Sequence, residues 1–257
     1  MHSELNSLDL AGTNRTNMTL ARAVKNQYIY KLRVYSGYFC TLILMQVIAL
    51  FFSLSGTMSV MSSSYTYHEY SALFVVLFSE FWALVVAVLL STRQRKNEAF
   101  ALPGNRLSDC LSDIAYMLTG CLLGGVTSAL AGIALRIPIY FLHPGLIMLS
   151  GFYPDPREIF TIFASTALYM LLLSATGYLC GVLVHLSKVF YAIIPALIFG
   201  AILLENNSSK SRTLFRICWD SVINAHSLST FAAWVTILSV LLLAAGTIIS
   251  YRVEVKR

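Results

Sequence analysis

Long apolar stretches separated by short polar segments dominate the chain. Runs near or above 18 apolar residues are typical of helices that cross a membrane. The pattern therefore predicts an all-α, polytopic bundle formed by residues 37–257. The predicted bundle has six transmembrane helices, at about residues 38–54, 71–90, 114–135, 156–184, 189–204 and 231–250.

A different periodicity precedes the first span. Apolar and aromatic residues recur every three or four positions, as on one face of a helix, with basic residues between them. This indicates that residues 1–36 form an N-terminus carrying an amphipathic helix at the membrane interface. The alternative is the solvated beginning of the first span. The stripe comprises Ala21, Val24, Tyr28, Leu32 and Tyr35, and the basic residues are Arg22, Lys25, Lys31 and Arg33.

The distribution of basic residues predicts the orientation of the bundle. With six spans and both termini in the cytoplasm, 13 of the 18 Lys and Arg residues lie on the cytoplasmic side, as the positive-inside rule requires. The apolar residues 137–153 are interrupted by Pro138 and Pro144, and are predicted to form a re-entrant or interfacial excursion on the outer side. Asp155-Pro156-Arg157-Glu158 is typical of a helix start, so the fourth span is predicted to begin there.

Composition narrows the class of protein. With 57% hydrophobic and 12% charged residues, the chain is too apolar for a water-soluble domain. We predict a multi-pass protein of the plasma membrane. In such a protein, a net charge of +6 indicates contact with anionic lipid headgroups and not binding to nucleic acid. The five cysteines form no CxxC pair, which argues against a disulfide framework or a metal site.

Glu80 is an acidic residue in the middle of the second predicted span. A carboxylate at that depth is costly unless it faces protein or a wet cavity. One reading makes it part of a substrate pathway or a coupling residue. The other is a neutral carboxyl hydrogen-bonded to a Ser or Tyr of a neighbouring helix.

Small residues recur at helical spacing in the third and fourth predicted spans. Such stripes let helix backbones approach closely, which predicts packing within the bundle. A sliding contact or a dimer seam remains open. The residues are Gly120, Gly124, Ser128 and Gly132 in one span, and Gly177 and Gly181 in the other.

Motifs for chemistry are missing from the sequence. No Gly is followed by Lys, so the chain has no P-loop for ATP. It also lacks HExxH and GxSxG. We therefore predict no enzyme activity, no catalytic residue, and no cofactor or metal bound by this chain.

The polar loop 91–113 has an internal order of its own. Arg93, Arg95 and Lys96 form a basic cluster, followed by Asn97-Glu98-Ala-Phe100-Ala-Leu102-Pro103-Gly-Asn-Arg106. This arrangement resembles the cytoplasmic coupling element of type 2 ABC transporter permeases, and the elbow helix and six spans are similar in layout. Those permeases often place the outer excursion between the fifth and sixth spans, which differs from residues 137–153 here.

The resemblance implies a set of partners. It implies an exporter permease that pairs with a second, identical or related membrane subunit and with two ATPase subunits, on which ATP and Mg²⁺ are bound. Pro103 would end a short helix at residues 96–102 that contacts the ATPase. Phe100 and Leu102 would be its apolar anchors, and Lys96, Glu98 and Arg106 its polar contacts. Alternatives are an ordinary loop that sets topology, a secondary transporter or channel that uses Glu80, and a non-transporting membrane scaffold.

Overall fold

The computed structural model describes residues 20–55, 58–61, 66–69, 72–91, 106–142, 155–186 and 228–254. Within them are six helices and one hairpin of two strands. In chain order the elements are α1 (Leu20–Val34), α2 (Gly37–Leu54), β1 (Met58–Met61), β2 (Thr66–Glu69), α3 (Leu73–Leu90), α4 (Arg106–Leu142), α5 (Pro156–Leu186) and α6 (Leu228–Glu254).

Five helices, α2 to α6, are long and apolar enough to cross a membrane. Large apolar side chains point outward along all five, and an exposed surface of this kind fits lipid and not water. Examples are Leu44, Phe81, Leu130, Phe160 and Leu241, each about 60% exposed. These features are those of a multi-pass membrane protein. The predicted span at residues 189–204 lies outside the described residues.

The predicted all-α fold class is confirmed, and a short antiparallel hairpin of strands β1 and β2 lies between α2 and α3. Met58 pairs with Glu69 at one end, and Met61 pairs with Thr66 at the other. The strands contain Val60, Thr66 and Tyr67, residue types that favour extended structure. The segment lies between two much stronger apolar stretches, so its short β pattern was not recognised.

Helix α4 corrects two predicted boundaries. It is 37 residues long and contains Pro138, whereas the prediction placed a span at residues 114–135 and an excursion from residue 137. The predicted span corresponds to the uncharged part of α4, between Asp113 and Arg136. These 22 residues rise about 33 Å, close to the thickness of a bilayer core. Pro138 lies four residues from the end of the helix, so a bend at this residue affects only the last turn.

The directions of the helices follow from their contacts. Gly177 of α5 lies against Leu84 of α3, and Gly181 lies against Val88, so these two helices are parallel. Helices α5 and α6 are also parallel, because the ring of Tyr169 packs on Phe231 whereas Tyr178, nine residues later, lies against Gly246. The C-terminal end of α5 and the N-terminal end of α6 therefore lie at opposite ends of the bundle, and the C-terminal end of α6 lies at the same end as α1.

The larger apolar core lies in the half of the bundle nearer to α1. It joins α2, α3, α4, α5 and α6 through large buried side chains, including Leu42, Trp82, Tyr116, Tyr178 and Leu243. A smaller cluster of Ala49, Val75 and Ala131 lies toward the hairpin. The five spans are thus packed around shared interior contacts, and their outer surfaces are left to lipid.

The arrangement of the helices predicts that both chain ends are on the same side of the membrane. An epitope tag before Met1 and a second tag after Arg257 should therefore have the same accessibility in intact cells. If one tag is accessible in intact cells and the other is protected, the parallel packing of α5 and α6 is wrong.

Candidate functional site

A row of polar residues on α1 faces the bundle. Ala23, Gln27 and Lys31 recur every four residues, which places them on one face of the helix, and all three are buried. The sequence predicted that Lys31 belongs to the basic face of an interfacial helix, whereas the structure buries it against the bundle. The apolar stripe, including Val24, Tyr28 and Leu32, is half-buried beside the row, so α1 packs on the bundle through a mixed face.

The ammonium group of Lys31 lies between two carboxylates of α4. Its Nζ is 2.6 Å from Oδ1 of Asp109 and 2.6 Å from Oδ1 of Asp113. It also donates to the backbone carbonyl of Asp109 at 3.0 Å. An ammonium has three N–H groups, so these acceptors satisfy all of its hydrogen-bonding capacity. Asp109 and Asp113 are four residues apart and therefore lie on the same face of α4.

Burial makes this ion pair different from a surface salt bridge. The side chains of Lys31 and Asp113 are 7% and 4% exposed, and that of Asp109 is 18% exposed. Burial alone would lower the pKa of Lys31, but the charges and hydrogen bonds of the two carboxylates outweigh it and raise the pKa above its ordinary value. The lysine therefore stays protonated, which makes it an electrostatic tie and not a nucleophile.

Aromatic residues extend the contact between α1 and α4. The hydroxyl of Tyr116, on α4, donates to the backbone carbonyl of Tyr35 at 2.9 Å, just after α1 ends. The rings of Tyr35 and Phe39 pack on that of Tyr116, with centroids 6.3 Å and 5.2 Å away. From α5, the buried side chain of Tyr178 belongs to the same apolar core as Tyr116. We call Lys31, Asp109, Asp113, Tyr35 and Tyr116 the elbow clamp.

A second polar cluster lies in the middle of the spans. The side-chain amide of Gln46, on α2, donates to Ser79 Oγ of α3 at 2.8 Å and to Ser128 Oγ of α4 at 3.2 Å. The two serine hydroxyls are also 3.2 Å apart. All three residues are buried, so the cluster connects three spans where lipid offers no competing hydrogen bonds.

Glu80 is half-buried on α3, on the edge that faces α5. The neighbouring residue on the same edge, Leu84, contacts Gly177 through its carbonyl. The phenol of Tyr169, on α5, is within electrostatic range of the Glu80 carboxyl. Among the described residues no lysine or arginine forms an ion pair with Glu80.

The small residues lie at helix contacts. A Cβ atom added to Gly177 would lie 2.6 Å from the carbonyl oxygen of Leu84, and one added to Gly181 would collide with Ser91. On α4, Gly120 faces Trp82 and Gly124 faces Met170. Gly132 has more room, since an added Cβ would be 3.8 Å from Ala72. In the same stripe, Ser128 takes part in the polar cluster around Gln46.

The other end of α4 carries a second ion pair. Arg136 Nη2 is 3.0 Å from Glu158 Oε1, which joins α4 to the first turn of α5. Helix α5 begins at Pro156 as predicted, and the Asp155 carboxylate accepts a hydrogen bond from the backbone N–H of Arg157 at 3.2 Å. Ion pairs therefore flank the uncharged part of α4 on both sides.

The predicted coupling residues lie largely outside the described part of the chain. Lys96, Glu98, Phe100, Leu102 and Pro103 fall within residues 92–105. The prediction that Arg106 belongs to the loop was wrong, because α4 begins at this residue. The helix therefore starts eight residues before the predicted span, and Asp109 and Asp113 are helical and not part of a loop.

Sequence reasoning missed the elbow clamp. Asp109 and Asp113 were assigned to a polar loop, although their spacing of four residues is a helical signal. Lys31 was grouped with the exposed Lys25 and Arg33, and nothing in the local sequence distinguishes it from them. Gln46 was also overlooked, although a lone amide inside an apolar span predicts a polar partner on another helix.

Comparison with known proteins does not assign a family. No family model, no curated protein and no solved structure matches this chain. Among the described residues there is also no group of three or more His, Cys, Asp or Glu that could hold a metal ion.

The elbow clamp predicts unequal effects of charge removal. Lys31→Met leaves two buried carboxylates without their cation and should reduce stability by about 3–5 kcal/mol. Lys25→Met removes the same charge from an exposed position of α1 and should change stability by less than about 0.5 kcal/mol. Unfolding of the purified protein in mixed micelles, followed by tryptophan fluorescence, measures both.

The control for this prediction removes every charge of the pair. The variant Lys31→Met/Asp109→Asn/Asp113→Asn has no uncompensated buried ion and should recover most of the lost stability. Equal stability of the Lys31→Met and Lys25→Met proteins would contradict the buried geometry.

Close packing between α3 and α5 predicts that Gly177 cannot be enlarged freely. Gly177→Ala should reduce stability by about 1–3 kcal/mol, because the new Cβ overlaps the Leu84 carbonyl. Gly37→Ala is the matched control, since a Cβ at Gly37 meets nothing within 4 Å. The same unfolding measurement compares the two, and a neutral Gly177→Ala would contradict the contact.

Proposed function

We propose that this chain is the membrane-spanning permease subunit of an ATP-binding cassette exporter of the plasma membrane. The observation that carries this proposal is the setting of the polar segment 92–105. It joins the end of α3 to the start of α4, at the end of the bundle where α1 is fixed by the elbow clamp. A soluble partner that binds this segment would act on two core helices at once.

The packing indicates which helices such a partner would move. Helices α3 and α4 both contribute to the core, through Trp82 and Tyr116 among others. Because packed helices shift as units and do not deform continuously, a displacement at their shared end would also be passed to α5, which is packed closely on α3 at Gly177 and Gly181. ATP and Mg²⁺ would be bound by the partner, since the sequence has no P-loop.

The substrate pathway is proposed to involve a second membrane subunit. A cavity lined by Trp82, Tyr116, Cys121 and Ser174, among others, has a volume of about 10 Å³, room for one water molecule and not for a substrate. We propose that the substrate pathway forms between two permease subunits, identical or related. If the ATPase binds segment 92–105 from the cytoplasm, both chain ends lie on the cytoplasmic side too, in agreement with the charge distribution.

The runner-up is a secondary transporter in which Glu80 binds a coupling ion. Sites of that kind usually combine paired charges or two broken helices near the midplane. Glu80 forms no ion pair within the described residues, and α3 is continuous around it. These features favour the ATP-driven reading.

The proposal predicts that an ATPase purifies with this chain. A tagged copy isolated in mild detergent from its own cells should recover a P-loop ATPase that is identified by mass spectrometry. Phe100→Ala/Leu102→Ala should lower that recovery at least tenfold, because two apolar anchors are lost from the contact. Phe141→Ala, an exposed aromatic residue at the opposite end of α4, should leave the recovery unchanged.

Two outcomes would contradict the permease assignment. One is the absence of any ATPase from the purified sample although the chain itself is intact. The other is full ATPase recovery by the Phe100→Ala/Leu102→Ala variant.

A further inference from the structure

The elbow clamp is placed where movement would enter the bundle. Helix α4 begins at Arg106, directly after segment 92–105. Asp109 lies in its first turn, Asp113 in its second and Tyr116 in its third. A displacement of the segment is therefore applied to the part of α4 that holds α1.

The contacts fix α1 along more than one point of α4. Lys31 binds Asp109 and Asp113, and the backbone carbonyl of Tyr35 binds Tyr116. Between Asp109 and Tyr116, α4 rises about 10 Å. Two attachment points separated along the axis prevent both sliding and rotation of α1 relative to α4.

The chemistry of the clamp suits a mechanical connection. Apolar side chains can slide past one another with little loss, because their attraction has no direction. A buried ammonium that uses all three donors cannot move without leaving a charge unpaired. The backbone carbonyl of Asp109 also accepts a hydrogen bond from Ser112 Oγ of the same helix, α4, at 2.7 Å. The carbonyl that binds Lys31 is therefore itself fixed within α4.

The connection continues into the spans. Two residues, Tyr35 and Ser36, separate α1 from α2. On α2, Gln46 is bonded to Ser79 and Ser128 in the middle of the bundle. A shift of α1 would thus pull on the first span and reach its polar cluster.

We propose that Lys31 is a positioning residue that makes α1 and the first three turns of α4 move as one body, so that a displacement of segment 92–105 reaches the first span through α1. The driving force rests on the proposed function. The attachment of α1 to α4 does not, and it is tested separately.

The attachment is tested by hydrogen–deuterium exchange on the purified chain in lipid nanodiscs. Lys31→Met should speed amide exchange in residues 20–34 at least tenfold. Lys25→Met, on the same helix but exposed, should change it less than twofold. Equal exchange in the two variants would overturn the proposal, whatever drives the protein.

The transmission of movement is tested on the complex with the co-purified ATPase. The probe is ATP with orthovanadate, which traps a closed ATPase, so no transport substrate is needed. In the unmodified chain, trapping should change exchange in residues 106–116 and in residues 20–34 together. In the triple variant Lys31→Met/Asp109→Asn/Asp113→Asn, which retains a packed bundle, the change should persist in 106–116 and fall at least fivefold in 20–34.

The outcomes separate this inference from the proposed function. If both segments of the triple variant still change together, the clamp is a structural contact and the inference is wrong. If no ATPase is recovered, the proposed function fails, and the exchange of the Lys31→Met chain still decides whether Lys31 joins the two helices.

Discussion

A single buried cation organises one end of this bundle. Lys31 is held by Asp109 and Asp113 at 2.6 Å each, with almost no access to water. Removing water from three charged groups is costly, and their mutual attraction offsets this cost only when the geometry is held. That geometry requires α1 to lie along the start of α4, which in turn sets how the chain enters the first span. The elbow clamp thus ties the amphipathic helix to the membrane bundle.

Away from that end, the bundle is held by packing and by few polar contacts. In lipid there is no hydrophobic driving force for apolar helices to associate. Specific helix pairing therefore depends on the close backbone approach at Gly177 and Gly181 and on the polar cluster around Gln46. The Arg136–Glu158 pair closes the opposite end of α4. Between the two ion pairs, the segment of α4 that carries no charge is about as long as a bilayer core is thick.

The sequence was sufficient for features that depend on hydropathy. The helices α2, α3, α5 and α6 begin and end within a few residues of their predicted spans. The reason is that the length of an apolar run can be read directly from the sequence and does not depend on which helices pack together. Hydropathy failed where charged residues continue a helix, as at Asp109, Asp113 and Arg136. It could not identify Lys31, since the partners of a buried charge lie 78 and 82 residues away. The coupling roles of Lys96, Glu98, Phe100, Leu102, Pro103 and Arg106 remain predictions, and so do the two roles considered for Glu80.

We propose that an ATPase-driven movement enters at segment 92–105 and reaches the first span through α1, which the elbow clamp holds against α4. A cryo-electron microscopy map of the tagged chain, purified with its partners in lipid nanodiscs, tests it most directly. We expect ATPase density against segment 92–105 and Lys31 in contact with both aspartates. A map with no soluble partner at this segment, and with Lys31 in water or among headgroups, would contradict it.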